Sequence, residues 1–191
     1  MAKPFLKPNN PKLTRISKVI PKQKVKSLAT RNIINKLLNN KLPFMVGLAA
    51  PQIGILKRII LVQIEKGILT PYINPEIIWE SKRKGEWYEG CFSTSKICGI
   101  VKRPISIKIE ATKDGKKVLE KHTGYKARIF QHEIDHLNGV RFPEKISDPK
   151  KLHWVLKKDF PVYRKGGWKK WPKLCSFEKW NQIKGRLNEI S

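Results

Sequence analysis

The chain predicts an α+β fold, with an early helix, several strands and a late helix, rather than the regular strand–helix alternation of a wound parallel sheet. Three observations carry this reading. Apolar residues recur at helical spacing in two separate places, before residue 41 and again after residue 124. Between them lie runs rich in β-branched residues, one with period-two alternation. The pair Asp114-Gly115 supplies a hairpin turn between two such runs. At 191 residues the chain has the size of one domain that can bury its own core, with room for a terminal extension.

Taken in order, residues 1–24 are rich in Pro and Lys and predict extended or looped chain. Val25 to Asn40 predicts a helix, because Leu28, Ile33, Ile34, Leu37 and Leu38 share one face and Leu42-Pro43 ends it. A loop of small residues follows, Gly47-Leu48-Ala49-Ala50-Pro51-Gln52. Arg58 to Ile64 predicts a strand, and Thr70 to Ile78 a second extended piece turned at Asn74-Pro75. A polar stretch leads to Glu89-Gly90-Cys91-Phe92-Ser93. Ile105 to Ala111 alternates like a half-buried strand, and Lys117 to His122 is its return. Tyr125 to Leu137 predicts the second helix, stopped near Asn138-Gly139. Residues 147–191 are rich in Lys and Trp and broken by Pro161, Gly166-Gly167 and Pro172. They predict a C-terminal extension with one or two helices packed on the core.

The net charge of +26 is unevenly spread. Residues 1–64 hold 13 Lys or Arg and no Asp or Glu, and residues 147–191 hold 12 basic against 4 acidic residues. The middle, with 16 basic and 11 acidic residues, is nearer balance. Such ends attract polyanions, although they also serve a soluble surface. No apolar stretch is long enough to cross a bilayer, and the first twenty residues lack a signal-peptide core. Pro4, Pro8 and Pro11 argue against an amphipathic targeting helix. Three cysteines make no disulfide framework, which fits a reducing, cytoplasmic location.

The sharpest chemical signal is Gln131-His132-Glu133-Ile134-Asp135-His136. On a helix, His132 and His136 share a face and can offer two imidazoles to one metal, with Glu133 in reach of a bound water. A catalytic site needs a third ligand and an open position. His153 is available, but no downstream zinc-protease pattern accompanies it, and Cys91 is the better candidate. A thiolate with two imidazoles suits Fe(II), Zn(II), Ni(II) or Co(II) better than Mg or Ca.

Three motifs, Gly47-Leu48-Ala49-Ala50-Pro51-Gln52, Glu89-Gly90-Cys91-Phe92-Ser93 and Gln131-His132-Glu133-Ile134-Asp135-His136, stand in order along the chain. In order and spacing they resemble the peptide deformylase family, whose patterns are G-x-G-L-A-A-x-Q, E-G-C-L-S and Q-H-E-x-D-H. The resemblance spans residues 8–146 and fades beyond. It implies antiparallel β-sheets around a central helix that carries the His-Glu-x-x-His motif. With the change of composition after residue 146, the expectation is a catalytic domain over residues 1–146 and a basic, Trp-rich extension over residues 147–191 packed on it.

By the same resemblance, Cys91, His132 and His136 hold a metal, most often Fe(II), with Zn(II), Ni(II) or Co(II) able to take its place. A metal-bound water attacks the formyl carbon of a formyl-methionyl nascent peptide, with Glu133 as general base and later acid, and formate leaves. Gln52 and the Phe92 N–H hold the developing oxyanion. Gly47 pairs its backbone with a substrate bound as an added strand. Val46, Trp87, Tyr125 and Ile129 lie beside the motifs and are candidates for a methionine pocket, or equally for core packing. The basic surface implies transient contact with the ribosome, and the chain is expected to act as a monomer away from membranes.

Two departures stand out. Met45 occupies the first glycine of its motif, where a side chain would crowd the substrate or cost φ > 0 freedom. Phe92 replaces leucine, but its implied role uses only backbone. Arg103 matches a family arginine and is expected to anchor the Cys91 loop by a charge-assisted hydrogen bond. Two rival readings remain: an idle fold kept as a ribosome- or RNA-binding module, and a zinc peptidase.

Overall fold

The computed structural model describes residues 5–94, 97–154 and 177–185. Two antiparallel sheets frame one central helix. The larger sheet has five strands: β1 (Gly47–Ala49), β2 (Ile59–Glu65), β3 (Ile68–Glu80), β6 (Ser106–Lys113) and β7 (Lys116–Thr123), in spatial order β1-β2-β3-β6-β7. The smaller has three, β4 (Lys84–Gly90), β5 (Ile97–Pro104) and β8 (Leu152–Trp154), with β5 in the middle. Every pairing within both sheets is antiparallel.

Both faces of β2 are covered, which explains why it reads as an unbroken apolar run rather than an alternation. Ile60 and Val62 face α2 (Gly124–Leu137), where Tyr72, Ile107 and Ile109 meet Ala127, Phe130 and Ile134. Ile59 and Leu61 face the other way, toward Leu37 of α1 (Leu28–Asn39), Leu48 and Met45. A third cluster gathers Cys91, Ile97, Val101, Phe142 and Leu152 under the smaller sheet.

The first helix starts later than the sequence predicts. Ser27 Oγ accepts from the Thr30 N–H at 3.2 Å and caps α1, while Lys22–Lys24 forms only a 3-10 turn. The second helix ends as predicted: Gly139, at φ +74°, carries the chain away where a Cβ would overlap the Thr14 carbonyl.

Three expectations change. The small-residue loop is in part strand: Gly47–Ala49 pairs with β2, and only Ala50–Ile53 turns. The turn at Asn74-Pro75 is instead a bulge inside one long strand, with the register shifting between Ile73 and Glu76. Asn74, at φ +51°, makes up for the interrupted ladder with its side chain, accepting from Ile20 N–H at 2.9 Å and donating to the Ile20 carbonyl at 2.8 Å. The polar stretch before Cys91 is strand β4, in a hairpin with β5.

Of the expected C-terminal helices, α3 (Phe177–Gly185) is described, and Trp180 is buried in the third cluster, with Arg141 stacked over its ring at 5.2 Å. Trp168, Trp171 and Cys175 lie outside the described residues. Among the described residues no helix is long and apolar enough to cross a membrane.

Candidate metal centre

Helix α2 brings His132 and His136 to one side, one turn apart, with ring centroids at 5.1 Å and edge-on. The chain leaving β4 places Cys91 against them. Its Sγ lies 3.3 Å from His136 Nε2, and the three donor atoms of Cys91, His132 and His136 all fall within 4.8 Å of one another. A single ion can therefore reach all three.

Burial alone would push the Cys91 thiol up. The charge of His136 and hydrogen bonds with both histidines outweigh burial and hold the thiol well below its usual range, in the thiolate form that ligates metals. Donor set and geometry fit a borderline-soft divalent cation.

A buried ion network orients the site. Glu89, the penultimate residue of β4, accepts from His132 Nδ1 at 3.0 Å, which leaves Nε2 for a metal. Arg103 grips the same carboxylate with Nε at 2.6 Å and Nη2 at 2.8 Å, and Arg128 adds Nη1 at 2.7 Å. Burial would raise the Glu89 carboxyl, but Arg103 outweighs it and holds the group well below the carboxylate range. Arg103 also donates to Asp135 at 2.7 Å, so it ties β5 to both β4 and α2. The expected anchoring by Arg103 thus runs through Glu89. Sequence reasoning does not single out Glu89 and Arg128 as positioning residues. The signal that could have found the arginines is charge set inside apolar runs, Arg103 among Ile100, Val101 and Ile105, and Arg128 between Ala127 and Ile129.

Glu133 is 5% exposed, and its Oε2 is buried without a hydrogen-bond partner among the described residues. Burial pushes its carboxyl up to about 7. It packs so closely on Gly47 that a Cβ there would overlap Glu133 Oε1, so the close approach requires glycine. Gln52 is buried in the turn after β1. Its Oε1 accepts from the Ala49 N–H at 2.7 Å, which fixes the amide so that Nε2 points to Cys91 Sγ at 3.2 Å.

The open edge of β1 lies beside these groups. The Gln63 N–H donates to the Val46 carbonyl at 2.8 Å, so antiparallel alternation turns the Gly47 N–H and C=O outward, away from β2. Val46 packs against the cluster under α2, of which Ile129 is a member. Trp87 and Tyr125 are 42% and 57% exposed. Phe92 opens the turn after Cys91. Met45 does not crowd the site: it is 2% exposed in the cluster with Leu37 and Leu48, and its φ is not positive.

The family model for polypeptide deformylase matches residues 2–152. A peptide deformylase of Thermomicrobium roseum is 41% identical over 119 residues, covering 58% of this chain and 67% of the relative. One of Pelotomaculum thermopropionicum is 40% identical over 149 residues, covering 74% of this chain and 94% of the relative. The Met-Ala-Ser-bound crystal structure of class I type b peptide deformylase from Acinetobacter baumannii is similar with a TM-score of 0.71 at 30% identity, over 76% of this chain and 100% of that one.

Proposed function

The chain belongs to the polypeptide deformylase family, and from that premise we propose that it removes the formyl group from the N-terminal methionine of newly made polypeptides, releasing formate. The observation that carries the reading is the Cys91–His132–His136 triangle with the buried Glu133 carboxyl beside the open edge of β1.

Cys91, His132 and His136 would hold the ion, in our assignment Fe(II), with Zn(II), Ni(II) or Co(II) as substitutes. When bound, it supplies Lewis acidity and makes water a nucleophile near neutral pH. Glu133 takes a proton from the attacking water and later delivers it to the amine nitrogen as the carbon–nitrogen bond breaks. Gln52 Nε2 and the Phe92 N–H are donors for the negative charge that grows on the formyl oxygen, each a contribution of roughly 3–4 kcal/mol when well placed. The outward N–H and C=O of Gly47 pair with the substrate backbone, in the manner of a strand added to a sheet edge. Val46 and Ile129, with Trp87 and Tyr125 nearer solvent, would receive the methionine side chain.

Residues 1–146 would form the catalytic domain, with residues 147–191 as a basic extension seated on it through Trp180. The basic surface supports transient contact with ribosomal RNA, and we place the protein in the cytoplasm as a monomer. The reading is tested by formate release from a short formyl-methionyl peptide. Protein handled without oxygen and loaded with Fe(II) or Ni(II) is compared with Glu133→Ala. Turnover that disappears in the variant is expected. Absence of turnover in the folded, metal-loaded protein would favour an idle RNA-binding module instead.

A further inference from the structure

The larger sheet has an uncovered stretch on the face turned away from α2. α1 and the N-terminal segment pack on that face over β1, β2 and the first half of β3. Over β6, β7 and the end of β3, among the described residues, it stays open. Register sorts the side chains there. Ile107, Ile109 and Ala111 join the cluster under α2, so Lys108, Glu110 and Thr112 point outward. Their partners on β7, Lys121, Leu119 and Lys117, share the outward face. Trp79, opposite Lys108, ends the row, with Lys108 Nζ 5.8 Å from its ring centre. Trp79 is 44% and Leu119 67% exposed.

At the other end of this face the segment around Lys22 and Lys26 borders a groove of about 620 Å³, which Asn74, Thr112 and Lys117 also line. The groove is built into the fold. Asn74 holds both backbone groups of Ile20, and Lys26 lies so close over Gly115 that a Cβ there would overlap its Cε. The acids of face and groove are Glu76 and Glu110, opposite each other, and Lys117 pairs with Glu110 at 2.8 Å. Lys22, Lys26, Lys108 and Lys121 are in no ion pair among the described residues. Lys108 and Lys121 stand directly opposite each other, a like-charge pair that costs stability until an anion neutralises it.

We propose that this face binds single-stranded RNA, with phosphates on Lys22, Lys26, Lys108 and Lys121 and a base stacked on Trp79. Lysines beside an exposed indole suit a chain whose phosphates and base faces are both accessible. A duplex offers the phosphates but keeps its bases stacked. A lipid surface requires a continuous apolar patch, and here Lys108, Glu110, Lys117 and Lys121 interrupt Trp79 and Leu119. The inference rests on the RNA contact read above from charge and gives that contact a place. It does not depend on the deformylase chemistry: β7 is the edge strand at the far side of the sheet from β1, so RNA held there leaves the metal centre open.

The test follows the anisotropy of a fluorescein-labelled oligouridylate, about ten nucleotides long, titrated with the full chain at several salt concentrations. Trp79→Ala should weaken binding roughly ten-fold, and Trp79→Phe, which keeps a ring, should stay within about three-fold of wild type. Lys108→Glu with Lys121→Glu should weaken binding and flatten the salt dependence by about 0.7 in log–log slope for each phosphate released. An RNA duplex of the same length should bind more weakly and be indifferent to Trp79→Ala. All these positions are exposed, so thermal melts of the variants should match wild type. The proposal is overturned if wild type does not bind the oligouridylate. It is equally overturned if Trp79→Ala and the lysine reversals leave binding intact, which would put the RNA elsewhere on the basic chain, or if the duplex binds as tightly. Flotation of wild type, but not Trp79→Ala, with phosphatidylglycerol–phosphatidylcholine vesicles, without oligouridylate binding, would assign the face to a membrane instead. Formate release from a short peptide, expected to be unchanged in every variant, reports separately on the deformylase reading.

Discussion

Glu133 combines two demands that conflict. A proton acceptor working near neutral pH benefits from a carboxyl lifted toward 7, and burial against Gly47 supplies that lift. The same burial is costly for the folded protein. An unfolded glutamate titrates near about 4.3. The folded state therefore favours the neutral form, and stability from this group is fully present at low pH and lost as pH rises through about 7. Metal-free Glu133→Gln should accordingly be the more stable protein at pH 8, by on the order of 3 kcal/mol, and equal to wild type near pH 4. Thermal melts of both metal-free proteins across that range would check it. Formate release should meanwhile fall by roughly 10²–10⁴-fold in the loaded variant. A gap in melting temperature that does not widen with pH would mean that the buried carboxyl carries no such cost.

Elements explain why some of this was legible and some was not. Helix α2 announces itself because one face is apolar and the other carries the histidines at i and i+4, a purely local pattern. Strands β6 and β7 are similarly local, joined by Asp114-Gly115. The β4–β5 hairpin left no such trace. β4 is mostly exposed on both faces and β5 mostly buried on both, so neither alternates. Its third strand, β8, pairs with Ile97–Gly99 from about fifty residues away. Yet this hairpin supplies Glu89, Cys91 and Arg103 together, which is why the ligand could be read from a motif and its support could not.

The tie between hairpin and helix passes through one carboxylate. Replacing it by Glu89→Gln should lower metal affinity by roughly 10–100-fold, because His132 loses the acceptor that fixes its ring. It should also cost about 3–5 kcal/mol of stability, by leaving Arg103 and Arg128 buried without their anion. Competition with a chromophoric chelator reads the first effect and denaturant titration the second. Wild-type affinity in the folded variant would show that His132 is oriented by the helix alone.

At the scale of the molecule, charge is segregated rather than merely abundant. Ten Lys or Arg between residues 5 and 64 are exposed, on a stretch that has no carboxylate to answer them. Meanwhile Glu89, Glu120, Asp135 and Glu144 are engaged in ion pairs within the protein. Among the described residues none of these ten is held in an ion pair, so the N-terminal segment and α1 keep their positive field. If that stretch meets ribosomal RNA, Lys22→Glu, Lys24→Glu and Lys36→Glu together should weaken ribosome binding. They should also flatten its dependence on salt by about 0.7–0.9 in log–log slope for each phosphate that is no longer neutralised, and leave turnover of a short peptide unchanged. Cosedimentation with ribosomes at several salt concentrations measures both. Reversal at Lys169, Lys170 and Lys173, which lie outside the described residues, apportions the binding between the two ends of the chain. A field that steers association must respond to one of these reversals. If neither changes the slope, the charge serves solubility, and binding to the ribosome is not electrostatic.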